Sequence, residues 1–342
     1  MKHSEIKTVK QLANYLRCSE ESLDKAIKND FKLISKDEKD FVENLLKAGS
    51  DKILIQKISI KKKGKIPGFR TVYAIRTFQL SDTLKILNNY LTDIFTPLDC
   101  VHGFVPGKST KTNAEVHLAK RVVLSVDIKD FFESITKQMI SESLIGIGFD
   151  ENVAEWISCI TTINGHLVQG FNTSPTIANI VVNKMDIDLL KICNNKTNYS
   201  RYADDLYFST DDVLPSIEDI TYTIEKYSFL LNEAKTKIMK RGNFQFVTGL
   251  TVFDKYIPRI PKKIKRNIRL EIYYILQFGY EKHAIKRLEN SGIPLDSTDY
   301  QFLIEEEIFE TNRRLFGWLH YIRSIEPKFA SNYYKQLHQA ER

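Results

Sequence analysis

The sequence predicts an α+β fold, and three observations carry that prediction. Short runs of alternating or fully apolar β-formers lie between charged and turn-rich stretches, segments with apolar residues at helical spacing are interleaved among them, and the last third is helical and basic. The 342 residues are 42% hydrophobic and 27% charged, enough apolar material for a substantial core and a composition unlike that of disordered chains. No apolar run reaches the eighteen or so residues needed to cross a bilayer. The opening MKHSEIKTVKQLANYL is polar and amphipathic where a signal peptide would have an apolar centre, so a cytoplasmic protein with no membrane attachment is expected. The four cysteines, Cys18, Cys100, Cys159 and Cys193, are far apart with no CxxC spacing. That argues against a zinc site or a disulfide framework, and they read as reduced, mostly buried thiols.

Residues 1–50 are expected to form a helical extension. Val9, Leu12, Tyr15 and Leu16, then Leu23 and Ile27, recur at helical spacing, and Ser19 is placed to cap the helix EESLDKAI. The two helices read as a packing element, since nothing marks either as a DNA-reading helix. KILIQKISI at 52–60 and FRTVYAI at 69–75 are strands joined by the basic turn KKKGKIPG, a hairpin with a positive tip. Residues 79–95 form a helix through Leu80, Leu84, Leu87, Leu91 and Ile94. RVVLSVDI at 121–128 is a short buried strand, KQMISESLIGIG a helix, and ENVAEWISCITTI at 151–163 another. Pro175 suits the first turn of a helix that opens at 174. NYSRYADDLYFS at 198–209 alternates like a hairpin with two aspartates at its bend, and 213–231 is again helical.

Net charge is +7, and residues 255–269, KYIPRIPKKIKRNIR, hold Lys255, Arg259, Lys262, Lys263, Lys265, Arg266 and Arg269 with no acid. Such a block is either a phosphate-contacting surface or a solvated helix face.

Asp127 ends an apolar strand, while Asp204 and Asp205 sit side by side between Tyr202-Ala203 and Leu206-Tyr207-Phe208. Adjacent aspartates between apolar strands repel one another unless a cation compensates them. Magnesium takes oxygen ligands, commonly one or two carboxylates with substrate phosphates. Two such ions about 4 Å apart stabilise the attacking and leaving oxygens of an in-line displacement. Carboxylates converging from separate strands suit that chemistry. The competing reading, a plain turn, is opposed by the apolar flanks.

These residues resemble the reverse transcriptase family. Tyr202-Ala203-Asp204-Asp205 resembles its YxDD box, and Asp127-Ile128-Lys129-Asp130-Phe131-Phe132 its first metal-binding motif. Gln169-Gly170-Phe171-Asn172-Thr173-Ser174-Pro175 resembles the QGxxxSP box, and Asn232-Glu233-Ala234-Lys235-Thr236 the NxxKT box, all in the family's order. The resemblance implies a right-hand polymerase. Residues 51–254 would form fingers and palm with an antiparallel palm sheet, and residues 255–342 a basic helical thumb. It also implies catalysis by Asp127, Asp204 and Asp205, which with Ile128 would hold two Mg2+ ions, for which Mn2+ can substitute. Nucleotide contacts are implied for Lys65, Arg70, Phe132, Gln169, Gly170 and Lys235. Phe132 would lie under the sugar and exclude a 2′-hydroxyl, with Phe131 as core. Arg70 would pair with the triphosphate, for which its planar fork is suited. Lys235 would either protonate the departing pyrophosphate or support it electrostatically.

Asn113-Ala114-Glu115-Val116-His117 and Val247-Thr248-Gly249 resemble the NAxxH and VTG signatures of bacterial retron reverse transcriptases, with a fainter match at residues 317–322. RNA contacts are thereby implied for Asn113, His117, Val247, Thr248 and Gly249, alongside Lys262, Lys263, Lys265 and Arg266. The implied partners are dNTPs, a cognate structured non-coding RNA that is both template and primer, its branched DNA product, and an effector protein encoded nearby in an anti-phage unit. A defence-associated enzyme without a retron RNA, and an inert RNA-binding scaffold, stay open as alternatives. Phe171 and Asn172 depart from the Ala and Pro usual in the QGxxxSP box, so the backbone turn beside the nucleotide would differ and Phe171 would reshape the template-facing pocket.

Overall fold

The computed structural model describes residues 5–35, 53–61, 68–292 and 300–340. The described residues fall into two compact units, one drawn from residues 1–107, 125–207 and 213–237, the other from residues 108–124, 208–212 and 238–342. The basic tip of the first hairpin, with Lys65, lies outside the described residues, as does the end of the N-terminal extension.

In the first unit, helices Val9–Tyr15 and Glu20–Ile27 form as their spacing predicts, capped by the Thr8 and Ser19 hydroxyls, which accept from Gln11 and Ser22 backbone N–H groups. The extension is not wholly helical, however. Phe31–Ser35 is a strand (β1) that pairs in parallel with β2 (Ile53–Lys61), which pairs antiparallel with β3 (Phe69–Ile75). A five-residue strand with so little alternation is visible only through its partner. Burial along β2 switches from Ile53, Leu54, Ile55 and Gln56, all buried, to an exposed second half. The hairpin is therefore rooted in the core and projects outward.

Helices Phe78–Ile94, Lys137–Gly146, Glu151–Ile160, Ser174–Val181, Asn183–Cys193 and Ile217–Lys226 complete this unit. Three sequence expectations are shortened. The helix expected over 151–163 stops at Ile160, because Asn164 (φ 52°) and Gly165 (φ 79°) turn Thr162–Ile163 (β5) back on His166–Leu167 (β6). The long helix from 174 breaks at Val182. That expected over 213–231 is confined to Ile217–Lys226, where Ser216 caps one end and Ser228 (φ 62°) follows the other. β4 (Val122–Asp127), β7 (Asn198–Tyr202), β8 (Asp205–Thr210) and β9 (Lys237–Lys240) make a four-stranded sheet in the order β7-β8-β4-β9, so Asp127 and the aspartate pair lie on neighbouring strands.

In the second unit, helix Thr110–Glu115 packs against the short hairpin of β10 (Phe246–Val247) and β11 (Leu250–Thr251). The segments Lys262–Asn290, Tyr300–Arg323 and Pro327–Ala340 pack together as helices. Lys262–Asn290 is not one rod. Gly279 has φ 81° and ψ 163°, a backbone conformation open essentially to glycine. Glu271 consequently meets His283 at 3.4 Å and Arg287 at 3.5 Å, whereas a straight helix would hold residues twelve apart roughly 18 Å from each other.

Candidate active site

The YADD turn is built from beneath. Ala203 takes φ 57° between β7 and β8, a left-handed conformation with a steric cost for a residue bearing Cβ. The neighbouring backbone fits it tightly: a Cβ on Gly103 would fall 2.3 Å from the Ala203 nitrogen. Arg201, fully buried, donates to the Ala203 carbonyl at 3.3 Å, to Asn179 Oδ1 at 3.0 Å, and bidentately to Asp186 at 2.7–3.1 Å. Tyr199 donates its hydroxyl to the same Asp186 at 2.7 Å. A buried ion pair with its lone pairs answered in this way holds the turn in one geometry. Sequence reasoning missed Arg201 and Asp186. The only signal available was a single charge among the uncharged residues of β7, and nothing in the chain announced its partner.

Asp127, 5% exposed, is clamped by the NxxKT segment. Asn232 Nδ2 donates to its Oδ1 at 2.9 Å, Lys235 Nζ to its Oδ2 at 2.8 Å, and the Asn232 backbone N–H to its carbonyl at 2.8 Å. Next door the Ile128 N–H donates to the Asp204 carbonyl at 3.0 Å, tying the two acidic segments by backbone, while the Ile128 side chain is core. Burial, then repulsion from Asp204 and Asp127, pushes the Asp205 carboxyl up to about 7. Burial and Asp127 also raise Asp204, against the pull of Lys235 and Arg70. Burial alone would lower the Lys235 ammonium, but its bond to Asp127 prevails and holds it above the usual lysine range. The three carboxylates thus feel one another, and Arg70 on β3 acts on Asp204. With Asp127 turned to Asn232 and Lys235, no three acidic, histidine or cysteine side chains among the described residues close on a single point.

The chemistry of the donors is that of a site for a hard divalent cation such as magnesium. Its donors are oxygens, which that ion prefers, and the Asp204 and Asp205 carboxyls that burial and mutual repulsion raise are ones a bound cation would return to the charged form.

The other candidates sort by position. Phe132 is half-buried, its ring 6.2 Å from Phe104 and 5.4 Å from Phe131, which is itself core. Gln169 and Gly170 lie against β3: the Tyr73 N–H donates to the Gln169 carbonyl at 2.7 Å, and Gly170 (φ 113°) would place a Cβ 2.2 Å from the Tyr73 carbonyl. The box is thereby joined to the strand of Arg70. Phe171 is 3% exposed and fills the interior, so the expected reshaping of a template-facing pocket by this residue is corrected to a change in the core; Asn172 faces solvent.

In the second unit, Asn113, His117 and Val247 are fully buried, with His117 Nδ1 2.7 Å from Ser209 Oγ. Direct RNA contact by these three, implied by the resemblance, is not what their placement offers; they hold the elements that carry Thr248 and exposed Gly249. Lys262, Lys263 and Arg266 are exposed, but Lys265 is bound at 2.7 Å to the buried carboxylate of Glu326, which also accepts from the Ile260 N–H. Lys265 is therefore a structural cation and not part of the open basic face.

A family model described as reverse transcriptase (RNA-dependent DNA polymerase) matches residues 60–270. Among curated proteins, the chain is 38% identical over 174 residues to the retron Mx65 reverse transcriptase of Myxococcus xanthus, an alignment covering 44% of this chain and 40% of that protein. It is 31% identical over 236 residues to the retron Mx162 reverse transcriptase of the same organism, covering 58% and 49%. It is 28% identical over 294 residues to the retron Ec73 reverse transcriptase of Escherichia coli, covering 79% and 82%. The chain thus spans less than half the length of the two Myxococcus relatives.

Proposed function

Because the chain belongs to the reverse transcriptase (RNA-dependent DNA polymerase) family, we propose that it is an RNA-directed DNA polymerase of a retron, copying part of a cognate structured RNA into RNA-linked single-stranded DNA. The observation that carries this reading is the placement of Asp127, Asp204 and Asp205 at neighbouring strand ends, with Lys235 bonded to Asp127 and Arg70 acting on Asp204. Asp127, Asp204, Asp205 and the Ile128 carbonyl would hold two Mg2+ ions, whose chemistry is to stabilise charge on the attacking and leaving oxygens of nucleotidyl transfer. The protein's own part is positional. Arg201 and Asp186 hold the turn, Asn232 orients Asp127, Phe132 lies under the sugar, and Arg70 and Lys235 meet triphosphate charge. Gln169 and Gly170 place the nucleotide against β3.

Residues 51–254 serve as fingers and palm and 255–342 as thumb in this reading, with Lys262, Lys263 and Arg266 on the nucleic-acid backbone. The protein acts in the cytoplasm; among the described residues no helix is long and apolar enough to cross a membrane. A branched RNA–DNA product and a nearby effector in phage defence follow from kinship with the retron enzymes. Purification from the native locus followed by sequencing of the bound nucleic acid tests this reading, with a branched RNA–DNA species expected. Asp204→Asn and Asp205→Asn should abolish its synthesis and leave RNA binding intact. Unbranched RNA alone in the wild-type preparation, or synthesis persisting in either variant, would overturn it.

A further inference from the structure

One groove of the second unit brings Thr248 and Gly249 together with residues given no role above. It encloses about 530 Å³ and is lined by Thr248, Gly249, Pro261, Arg313, Trp318 and Tyr321, among others. That volume falls within the range of sites that take a small ligand. Three segments meet there, and one residue pins them. Thr110 accepts at its carbonyl from the Thr248 hydroxyl at 2.8 Å, and its own hydroxyl lies 3.0 Å from the Tyr321 hydroxyl. Thr110 opens the short helix that carries Asn113 and leads to His117, so those buried residues fix one side of the groove without touching what enters it.

Trp318 and Tyr321 stand one helical turn apart, their rings 6.0 Å from each other at 70°. Both are half-buried, which holds each ring in place while part of it stays open. The turn opposite, Thr248 (φ 45°) and Gly249 (φ 79°), presents backbone and a bare glycine. The rim is cationic. Arg313 lines the groove and is exposed, in a surface pair with exposed Glu310 at 2.6 Å, a kind of pair that contributes little and yields readily to a competing phosphate. The helix that follows Pro261 also carries Lys262, Lys263 and Arg266, exposed outside the groove and without an ion-pair partner among the described residues. Arg314 is held more firmly, by both oxygens of the mostly buried Glu271, and does not serve the rim.

Aromatic side chains in a largely apolar groove with an exposed arginine at its edge, next to a helix that carries further cations, match a base between two phosphates. Proteins read single-stranded RNA by stacking extruded bases on aromatic side chains and pairing the flanking backbone with cations. We propose that this groove binds one unpaired RNA base, stacked on Trp318, with Arg313 and the Lys262–Lys263–Arg266 face on the adjoining phosphates. The inference rests on the reading of the chain as an RNA-directed polymerase, and supplies it with a means of holding an unpaired base of its RNA.

The full chain is titrated with an RNA hairpin carrying one bulged 2-aminopurine and with the same hairpin carrying an abasic ribose there. The intact hairpin should bind about tenfold or more tightly than the abasic one, with quenching of the 2-aminopurine. Trp318→Ala should remove both the preference and the quenching, Trp318→Phe should keep both, and Arg313→Ala should weaken the two hairpins alike. Thermal melts confirm that each variant is folded. Equal affinity of the two hairpins for the wild-type protein, or a preference that survives Trp318→Ala, would overturn the proposal and give the groove to another occupant. Extension of oligo(dT) on poly(rA) by the same preparations reports the polymerase reading separately, since a chain that extends normally and ignores the bulged base loses only the pocket.

Discussion

At the scale of single residues, the site is set by groups that hold other groups. Arg201 and Asp186 are both fully buried, and each answers the other's charge, so the pair tolerates joint replacement better than the loss of one member. Arg201→Met alone should cost about 3–5 kcal/mol in urea unfolding, because it strands the Asp186 carboxylate, and Arg201→Met with Asp186→Leu should recover a large part of that. A double variant no more stable than the single one would mean that the pair's attraction exceeds the cost of burying it. Phe132 poses a different question. Its ring is packed against Phe104 and Phe131 yet stays partly open, as a steric gate for a sugar requires. Phe132→Val should raise ribonucleotide incorporation relative to deoxynucleotide by at least about tenfold, read from primer extension with matched rNTP and dNTP. An unchanged ratio would leave Phe132 as packing only.

At the scale of elements, the break at Gly279 folds Lys262–Asn290 back so that His283, Arg287 and Arg314 share Glu271. Burial holds the His283 imidazole below its usual 6.5; Glu271 opposes this, and Arg287 and Arg314 reinforce it. The folded chain therefore refuses a proton that the unfolded chain accepts. That contribution to stability is complete above about 6.5 and is lost as pH falls from there through the lower folded value. His283→Gln, neutral at every pH, should shrink the difference in urea midpoint between pH 7.5 and pH 5. A difference of unchanged size would assign the acid sensitivity to other groups. The NAxxH helix and the VTG turn show the same division of labour, with buried residues fixing the exposed surface beside them.

At the scale of the whole molecule, the basic block separates into cations that face solvent and cations that hold the fold. Lys262→Ala, Lys263→Ala and Arg266→Ala should each lower the salt dependence of RNA binding by about one unit in the slope of log affinity against log salt, with little effect on stability. Lys265→Ala should instead lower the melting temperature, since it leaves the Glu326 carboxylate buried without its cation, and should leave the salt slope unchanged. A slope that fell with Lys265 as it fell with the other three would refute the distinction.

Much of the acidic arrangement was legible because its parts are local. A carboxylate at the end of an apolar strand, an aspartate pair at a hairpin bend and a proline at the first turn of a helix are patterns of a few residues, and each element formed where its pattern stood. What only the tertiary structure decided depends on residues distant in the chain. β1 exists through its pairing with β2, Lys265 leaves the basic face because Glu326 is buried beside it, and Phe171 is core because the helices around it close over it. Spacing along a chain reports which face a residue shares with its neighbours, whereas burial and charge pairing are set by segments the chain brings back from far away. The sequence by itself therefore determined the chemistry of the acidic site, and tertiary packing decided which of the surrounding polar residues touch a ligand and which hold those that do.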